Sequence, residues 1–278
     1  MAGLAGKNYT MTQRLQNFVE KSQGIGFFKG KEITLGQRID WGTVNECWIL
    51  HSEEKQYLAR LGQNLPAEFI RTWQNELKAN QIAAEAGLAP QPIFIDEDSL
   101  AAIYPWCGDP LSQVELTPEL LKEIAHRLSL LHGIESPVAQ VGYRDTIENY
   151  LSIISKNANW LNKSAIDHLA LLDQADIWDK SEDLSFCHHD LNPGNILWDG
   201  KQCTFIDWEY ARVAHPLFDL ASLSNHFALT DKDLKLLLAQ YQHHEYLEKE
   251  VRDAEKMVHG LEKLWLEAAR ISLVNKEK

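Results

Sequence analysis

Three oxygen-bearing side chains, Asp190, Asn195 and Asp207, lie close together in FCHHDLNPGNIL and in the FIDWEYA that follows it. Asp190 and Asn195 are five positions apart in one polar loop, and Asp207 comes after a short hairpin pattern. Phosphoryl transfer needs one carboxylate to orient the attacking hydroxyl, and oxygen ligands for the metal ions that neutralise the phosphates. The three residues therefore indicate phosphoryl transfer, with Asp190 as the catalytic residue and Asn195 and Asp207 as Mg²⁺ ligands.

The same interval between Asp and Asn occurs in the catalytic loop of protein kinases. The segment resembles the aminoglycoside phosphotransferase and choline kinase family, with choline/ethanolamine kinase-like and bacterial thiamine kinase-like members. The family pattern, H-x-D-x-x-x-x-N followed by I-D-[FWY]-E, is matched by His188, Asp190, Asn195, Ile206, Asp207, Trp208 and Glu209. The resemblance implies a protein-kinase-like fold and phosphorylation of a small alcohol. It also implies that His188 and Asp219, in HPLFDLASL, support the loop.

Short apolar runs on either side of the motif predict the strands that position it. They are Leu184–Cys187, Ile196–Trp198 and Cys203–Ile206. The turn between the last two runs has two possible lengths. A two-residue turn at Asp199 and Gly200 would pair Asn195 with Thr204, about 10 Å along the strands from the second aspartate. A turn from Asp199 to Gln202 brings the two ligands closer, and shared metal ligation favours it.

The chain before the motif predicts a small lobe rich in β-structure. Apolar runs indicate strands at Ile33–Leu50, Tyr57–Leu61, Ile93–Ile95 and Leu100–Ile103. One long helix is predicted at Ala67–Ala86, because Phe69, Trp73 and Leu77 recur every four residues and Gly87 offers a C-terminal cap.

The remainder of the chain predicts a larger, mainly helical lobe. A helix begins after Thr117, a probable cap, with Pro118 in its first turn, and ends at Gly133; His132 near its end is interpreted as structural. The fold class is α+β, a protein-kinase-like two-lobed fold. The turn-rich segment at 103–110 is interpreted as the hinge, which gives an N-terminal nucleotide-binding lobe at 1–106 and a C-terminal catalytic and acceptor-binding lobe at 107–278.

Nucleotide contacts are implied by the resemblance. Arg60 on a strand would contact the phosphates, and Glu76 on the long helix would orient it; for both, a solvated charge on an exposed face is the alternative. Gly42, Thr43 and Asn45, in IDWGTVNECW, are candidates for a loop that covers the nucleotide. This stretch has a single glycine, and a plain strand turn is the competing interpretation.

The acceptor site is implied by residues around and after the motif. Tyr210 and Trp265 match places where choline kinases present aromatic rings to a cation, and Glu209 adds a carboxylate. Trp265 also lies on a helical apolar stripe, so packing in the core is its alternative. Glu262 stands where choline kinases often carry a second tryptophan, and IDWEYA is equally similar to thiamine kinases.

The composition limits the partners. A net charge of −13 disfavours nucleic acid and anionic membranes and suits a cationic substrate. No run of about 18 apolar residues or secretory pattern is present, and the four cysteines are scattered, so a cytoplasmic protein without membrane insertion is expected. A zinc site formed by Cys187, His188, His189 and Cys203 is the alternative use of that segment, although its spacing matches no common arrangement.

These observations predict an ATP- and Mg²⁺-dependent kinase of a small, cationic alcohol, with choline or ethanolamine first. Thiamine is the second candidate substrate and an aminoglycoside the third; a non-catalytic pseudokinase that senses a ligand is the alternative from another class. A protein kinase is disfavoured, because no Asp-Phe-Gly or Ala-Pro-Glu element follows the loop. GTP in place of ATP and the oligomeric state stay open.

Overall fold

The computed structural model describes residues 13–24, 26–39, 45–62, 73–98, 100–135, 138–155 and 168–276. The chain divides into two compact units, one formed by 1–65 and 90–108 and the other by 66–89 and 109–278. The segment 66–89 thus belongs by its contacts to the second unit, although sequence analysis assigned it to the N-terminal lobe. The division at 106 into a nucleotide-binding and a catalytic lobe stays a prediction.

The first unit is built around a five-stranded antiparallel sheet with the order β1-β2-β3-β5-β4. Its elements are α1 (Gln13–Gly24), β1 (Thr34–Ile39), β2 (Asn45–Ser52), β3 (Lys55–Gly62), β4 (Phe94–Asp96) and β5 (Ala101–Pro105). Apolar side chains of α1, among them Leu15 and Phe18, pack with Trp48, Leu50 and Ile103 of the strands to form the core of this unit.

The turn between β2 and β3 falls between two apolar runs that the sequence predicted as separate strands, Ile33–Leu50 and Tyr57–Leu61; the first run covers β1 and most of β2. Ser52 pairs with Lys55, so the turn has two central residues, Glu53 and Glu54. Both have positive φ, 50° and 61°. This is the conformation whose twist matches the right-handed twist of paired strands.

The second unit is mainly helical. Its helices are α2 (Trp73–Glu85), α3 (Pro118–His132), α4 (Tyr143–Ser155), α5 (His168–Asp179), α6 (Leu217–His226), α7 (Asp231–Gln240) and α8 (Glu248–Lys276). Its short strands are β6 (Asp109–Pro110), β7 (Ser185–Cys187), β8 (Ile196–Trp198), β9 (Cys203–Phe205) and β10 (Arg212–Ala214). The strands form two small antiparallel sheets, β6-β8-β9 and β10-β7. No helix in the described ranges is both long and apolar enough to cross a membrane.

The end of α2 follows the predicted capping. Gly87 has a φ of 72°, its N–H donates to the carbonyl of Ala84, and the N–H of Leu88 donates to that of Ala83. This is the pattern of a glycine that ends a helix in the left-handed conformation. The beginning of the predicted helix, with Phe69, lies outside the described residues. Ala83 and Leu88 are fully buried in the core of the second unit, which explains why this helix belongs there.

The beginning of α3 also follows the sequence. The hydroxyl of Thr117 accepts the N–H of Leu120 at 3.2 Å, and Pro118 occupies the first turn. Further along the helix, the buried Arg127 donates to the carbonyls of Gly87 and Cys203. This arginine thereby connects α3 to the end of α2 and to β9, which leads to Asp207.

Candidate active site

The hairpin of β8 and β9 has the longer turn. Ile196 pairs with Phe205 and Trp198 with Cys203, so the turn contains four residues, Asp199 to Gln202. The Asp199 carboxylate accepts the N–H groups of Lys201 and Gln202, which stabilises this turn. The register that favours shared metal ligation is therefore the one observed.

This register places Asn195 beside the end of β9. The carbonyl of Asn195 accepts the N–H of Ile206 at 3.0 Å. Asp207, the next residue, has a φ of 67°, in the left-handed region that non-glycine residues rarely adopt. Asn195 and Asp207 are thus brought to the same end of the hairpin by local hydrogen bonding.

Asp190 is held by two asparagine side chains of its own loop. The Asn195 amide donates to the Asp190 carboxylate at 2.7 Å and to its carbonyl at 2.9 Å. Asn192 donates to the other carboxylate oxygen at 3.1 Å, and its own side-chain oxygen accepts the N–H of Gly194 at 2.8 Å. Sequence analysis did not identify Asn192; the turn composition Asp-Leu-Asn-Pro-Gly was the available signal.

The surroundings of Asp190 disfavour its ionised form. Burial of the carboxyl group, with the nearby negative charge of Asp207, raises the pKa of Asp190 to about 6. Hydrogen bonds from Asn192 and Asn195 and the charge of His226 act in the opposite direction without cancelling this effect. A carboxylate with a pKa near neutrality is suited to accept a proton from a substrate hydroxyl.

Asp219 holds the backbone at the start of the loop that carries Asp190. Its fully buried carboxylate accepts the backbone N–H groups of His188 and His189, both at 2.8 Å. His132, also buried, lies 3.2 Å from the same carboxylate through Nε2, and its Nδ1 is 2.6 Å from the Tyr241 hydroxyl. The backbone that enters the loop is thus fixed by a buried carboxylate whose own position is set by α3 and α6.

His188 joins the loop to the strand that carries Asp207. Its Nε2 lies 2.9 Å from the carbonyl of Ile206, and its Nδ1 lies 3.3 Å from the N–H of Asp190. The carbonyl can only accept and the N–H can only donate, so the ring is the neutral Nε2–H tautomer. Complete burial lowers the pKa of His188 in agreement with this assignment.

The alternative zinc site does not form. His188 is bound to Ile206, while the His189 ring stacks on Phe218 at 3.8 Å. In the described part of the chain, the ligating side chains that come together are instead His132, Cys187 and Asp219. The Cys187 thiol lies 3.4 Å from two backbone carbonyls, and burial raises its pKa, so this group is a hydrogen-bonded part of the core.

Glu209 and Tyr210 come together with a residue that sequence analysis did not identify, Tyr150 of α4. Glu209 and Tyr150 are buried and Tyr210 is half-buried. Burial and then Glu209 raise the pKa of Tyr210, and Asp190 contributes as well. Burial also raises the pKa of Tyr150 to about 12, and Glu209 acts in the same direction. The two phenols and the carboxylate, a group we call the acceptor cluster, are therefore near enough to affect one another's ionisation, and Tyr210 is also near enough to respond to Asp190.

Two residues of α8 bear on the acceptor site: Trp265, the remaining candidate, and Glu262, which stands where choline kinases often carry a second tryptophan. Trp265 packs against the core of the second unit, the alternative considered for it. Glu262 forms an ion pair with His226, with 2.9 Å between Oε1 and Nε2. This pair raises the pKa of His226, and the charge of Asp190 adds to that effect. A role of Trp265 in substrate binding stays a prediction.

The nucleotide candidates are only partly described. Gly42 and Thr43 lie outside the described residues, and Asn45 begins β2. Arg60 lies on β3 and Glu76 on α2, each buried in its own unit rather than on an exposed face. Their contacts with a nucleotide and with each other stay predictions.

The donor set at the end of the hairpin fits Mg²⁺. The amide nitrogen of Asn195 donates to Asp190, which leaves the amide oxygen as the atom for a metal. Asp207 adds a carboxylate. Hard oxygen ligands of this kind, few in number and supplemented by phosphate oxygens and water, are those that Mg²⁺ uses in kinase sites.

Solved structures with the same fold confirm the predicted fold class. The structure of choline kinase LicA from Streptococcus pneumoniae has a TM-score of 0.71 at 17% identity, covering 92% of this chain and 91% of that one. A choline/ethanolamine kinase family protein from Mesorhizobium loti has a TM-score of 0.69 at 20% identity, covering 91% and 85%. The fold is protein-kinase-like, with a β-rich N-terminal lobe and a mainly helical C-terminal lobe.

Residues 36–256 match the model of the phosphotransferase enzyme family, and the chain belongs to that family. Two LicA proteins of Haemophilus influenzae are 28% and 31% identical to it, each over 77% of this chain, which spans 66% and 82% of their lengths. A probable ethanolamine kinase from Dictyostelium discoideum is 25% identical over 89% of the chain and 76% of its own length. The protein is therefore a small-molecule kinase, as the sequence predicted.

We expect that replacing Asp219 by Ala strongly destabilises the protein. The variant leaves two buried N–H groups, those of His188 and His189, without an acceptor, which should lower the free energy of unfolding by about 3 kcal/mol or more. Urea unfolding followed by circular dichroism measures this. Asp253→Ala, which removes an exposed carboxylate paired with Lys256, is the control and should have little effect. An Asp219→Ala protein as stable as the control would contradict the assigned role.

We expect Asp190→Asn to stabilise the metal-free protein at neutral and basic pH. The folded-state pKa of about 6 exceeds the ordinary 3.8. The unfolded chain thus binds fewer protons between these values, and wild-type stability falls as the pH rises through this range. At pH 8 removal of the charge should stabilise the variant by up to about 3 kcal/mol, reduced by about 1 kcal/mol because its amide oxygen accepts from only one of Asn192 and Asn195, and the gain should shrink towards pH 4. Urea unfolding in EDTA tests this; a less stable variant at pH 8 would be the contrary result.

Proposed function

We propose that the protein is an ATP- and Mg²⁺-dependent kinase that phosphorylates the hydroxyl group of a small cationic metabolite, choline or ethanolamine in the first place. The observation that carries the proposal is the convergence of Asp190, Asn195 and Asp207 at one end of a hairpin, beside a cluster of two phenols and a buried carboxylate. The first group suits phosphoryl transfer, and the second suits recognition of a cation.

In this proposal Asp190 orients the acceptor hydroxyl and accepts its proton. Its carboxylate is fixed by Asn192 and Asn195, and its pKa of about 6 lets it be ionised at neutral pH yet still basic enough to take a proton. Asn195 and Asp207 would hold Mg²⁺, which when bound neutralises the charge of the phosphates. His188 and Asp219 would keep these residues in place.

For the nucleotide, Arg60 would contact the phosphates and Glu76 would orient it, with Gly42, Thr43 and Asn45 covering the phosphates. Support comes from a structure of LicA in complex with AMP, which has a TM-score of 0.71 with this chain. We take ATP as the donor, and GTP as the variant that the assay must include.

For the acceptor, the cluster formed by Glu209, Tyr210 and Tyr150 is proposed to receive the cationic end, with Trp265 as a further aromatic contact. Aromatic faces attract cations by about 0.5 to 2 kcal/mol each, and a nearby carboxylate adds to this. The net charge of −13 acts in the same direction at longer range. The names of the relatives, among them a choline kinase and ethanolamine kinases, support the same substrate class.

Two other features accompany this proposal. The cysteines Cys47, Cys107, Cys187 and Cys203 form no disulfide bonds with one another, which suits the expected cytoplasmic location. Thiamine and aminoglycosides, two other groups of alcohols, are the next acceptors to test; spectinomycin phosphotransferase has the same fold, with a TM-score of 0.62.

The deciding experiment measures Mg²⁺-dependent consumption of ATP and of GTP by the purified protein with choline, ethanolamine, thiamine, an aminoglycoside or no acceptor. We expect stimulation by one acceptor. We also expect Asp190→Ala to lower turnover by about 10² or more while nucleotide binding is retained, because only the proton acceptor is lost. In Asp207→Ala, nucleotide binding should lose its dependence on Mg²⁺.

The outcomes separate the alternatives. Stimulation by thiamine or an aminoglycoside alone would replace the proposed substrate and keep the mechanism. Nucleotide binding without turnover on any acceptor would favour the pseudokinase, and unchanged turnover in Asp190→Ala would refute the role of that residue.

A further inference from the structure

We propose that Arg212 is a positioning residue for Asp190, which it influences through the ring of His189. The inference rests on the proposed function, because it concerns the orientation of the residue that would accept the substrate proton. Arg212 begins β10 and is only 6% exposed. Sequence analysis gave it no role.

The guanidinium group of Arg212 connects α4 to the loop that carries Asp190. One terminal nitrogen donates to the Thr146 hydroxyl at 3.0 Å, and the other lies 3.0 Å from Nδ1 and 3.1 Å from Nε2 of His189. The group also lies over the Tyr143 ring, 4.9 Å from its centroid. The backbone of Arg212 pairs with that of Cys187, two residues before His189. The Arg212 side chain therefore starts beside the strand that leads into the loop.

The contacts of Arg212 hold the His189 ring in place. One terminal nitrogen of the guanidinium is nearly equidistant from both ring nitrogens, so it lies against the face of the ring, as arginine does in stacking contacts. The Nε2 atom lies 2.8 Å from the Tyr143 hydroxyl, and that hydroxyl lies 3.4 Å from the carbonyl of His215. The Tyr143 hydroxyl donates to the carbonyl of His215 and so joins the edge of the His189 ring to that backbone. The ring is thereby held in one orientation.

The backbone of His189 shows why such a fixed ring matters. His189 has a φ of 70°, a left-handed conformation that is strained for a residue with a side chain. The ring is stacked on Phe218 with 12° between the planes, Arg212 lies over it at nearly equal distances from its two nitrogens, and the Tyr143 hydroxyl lies at its edge, 2.8 Å from Nε2. The conformation of this residue sets the direction in which the next residue, Asp190, leaves the backbone. Loss of the contact to Arg212 would release that constraint.

The charge of Arg212 argues against a role in packing alone. Among the described residues no carboxylate forms an ion pair with it, and its buried Nε has no hydrogen-bond partner there. A buried charge without an ion pair is unfavourable, and an apolar side chain of similar volume fills space better. What the guanidinium provides here, and an apolar side chain would not, is a directed donor to Thr146 combined with a planar cation against the His189 ring.

The experiment compares Arg212→Met and Arg212→Lys with wild type, using the acceptor that stimulates wild-type turnover. Arg127→Met is the matched control, because Arg127 is an equally buried arginine whose donors go to the backbone carbonyls of Gly87 and Cys203. We measure kcat, KM for nucleotide and acceptor, and thermal unfolding. We expect Arg212→Met to lower kcat by roughly 10- to 100-fold with both KM values within about twofold, since misplacing a reacting group affects turnover first.

Arg212→Lys should lie between wild type and the Met variant, because one ammonium group cannot reach Thr146 and His189 with the same fork. Because this variant keeps the positive charge, its kcat tests the proposal if Arg212→Met does not fold. Arg127→Met should unfold at lower temperature while kcat per folded molecule is retained.

A double-mutant cycle tests whether Arg212 acts through His189. His189→Asn removes the ring, and asparagine tolerates the left-handed conformation. In that background, Arg212→Met should lower kcat by less than about twofold, because the connection is already lost. An equal loss of kcat in both backgrounds, or a wild-type kcat in Arg212→Met, would overturn the proposal.

Crystal structures of wild type and Arg212→Met extend the test to a protein without measurable turnover. We expect the variant to lose the left-handed conformation of His189 and the 2.7 Å hydrogen bond between Asn195 and Asp190. An unchanged loop would refute the proposal. A wild type that no acceptor stimulates would count against the proposed function, whereas the loop comparison would still decide the role of Arg212.

Discussion

The site depends first on one buried carboxylate, that of Asp219. It accepts the consecutive N–H groups of His188 and His189, which follow directly after the end of β7, where the loop begins. Leaving them unpaired in the interior would be unfavourable, so the carboxylate fixes the path of the backbone towards Asp190. Asp219 lies on α6 and its carboxylate contacts His132 of α3, so the packing of these two helices sets the position of the loop backbone.

Two residues of the site have strained backbone conformations that the surrounding contacts must maintain. His189 and Asp207 have φ values of 70° and 67°, each in the left-handed region. Strain of this kind is of the order of 1–3 kcal/mol per residue and persists only where several surrounding contacts hold the conformation. Here those contacts are the hydrogen bond from His189 to Asp219, the hydrogen bond from His188 to Ile206 and the stacking of His189 on Phe218.

Sequence was informative where the determinants are local. The hairpin, its longer turn, the Thr117 cap and the end of the long helix at Gly87 follow from turn and capping chemistry within a few residues. The packing of α2 in the second unit, and the contacts of Arg212 and Tyr150, depend on elements distant in the chain. Glu262 and His226 are 36 positions apart, so periodicity gives no sign of their ion pair.

The electrostatics of the site follow from bringing several carboxylates together. Burial first, and then the charge of Asp207, raises the pKa of Asp190; burial and then Glu209 raise the pKa of Tyr210, so each negative charge adds to the cost of ionising the next group. Such an arrangement is destabilising for the protein alone and is relieved by cations. In the proposed function two kinds of cation would relieve it: a metal ion at the oxygen ligands of Asn195 and Asp207, and an ammonium group near the phenols. The repulsion among the carboxylates would then also be the attraction that binds these ligands, and a net charge of −13 makes such metal ions the natural partners of the phosphates.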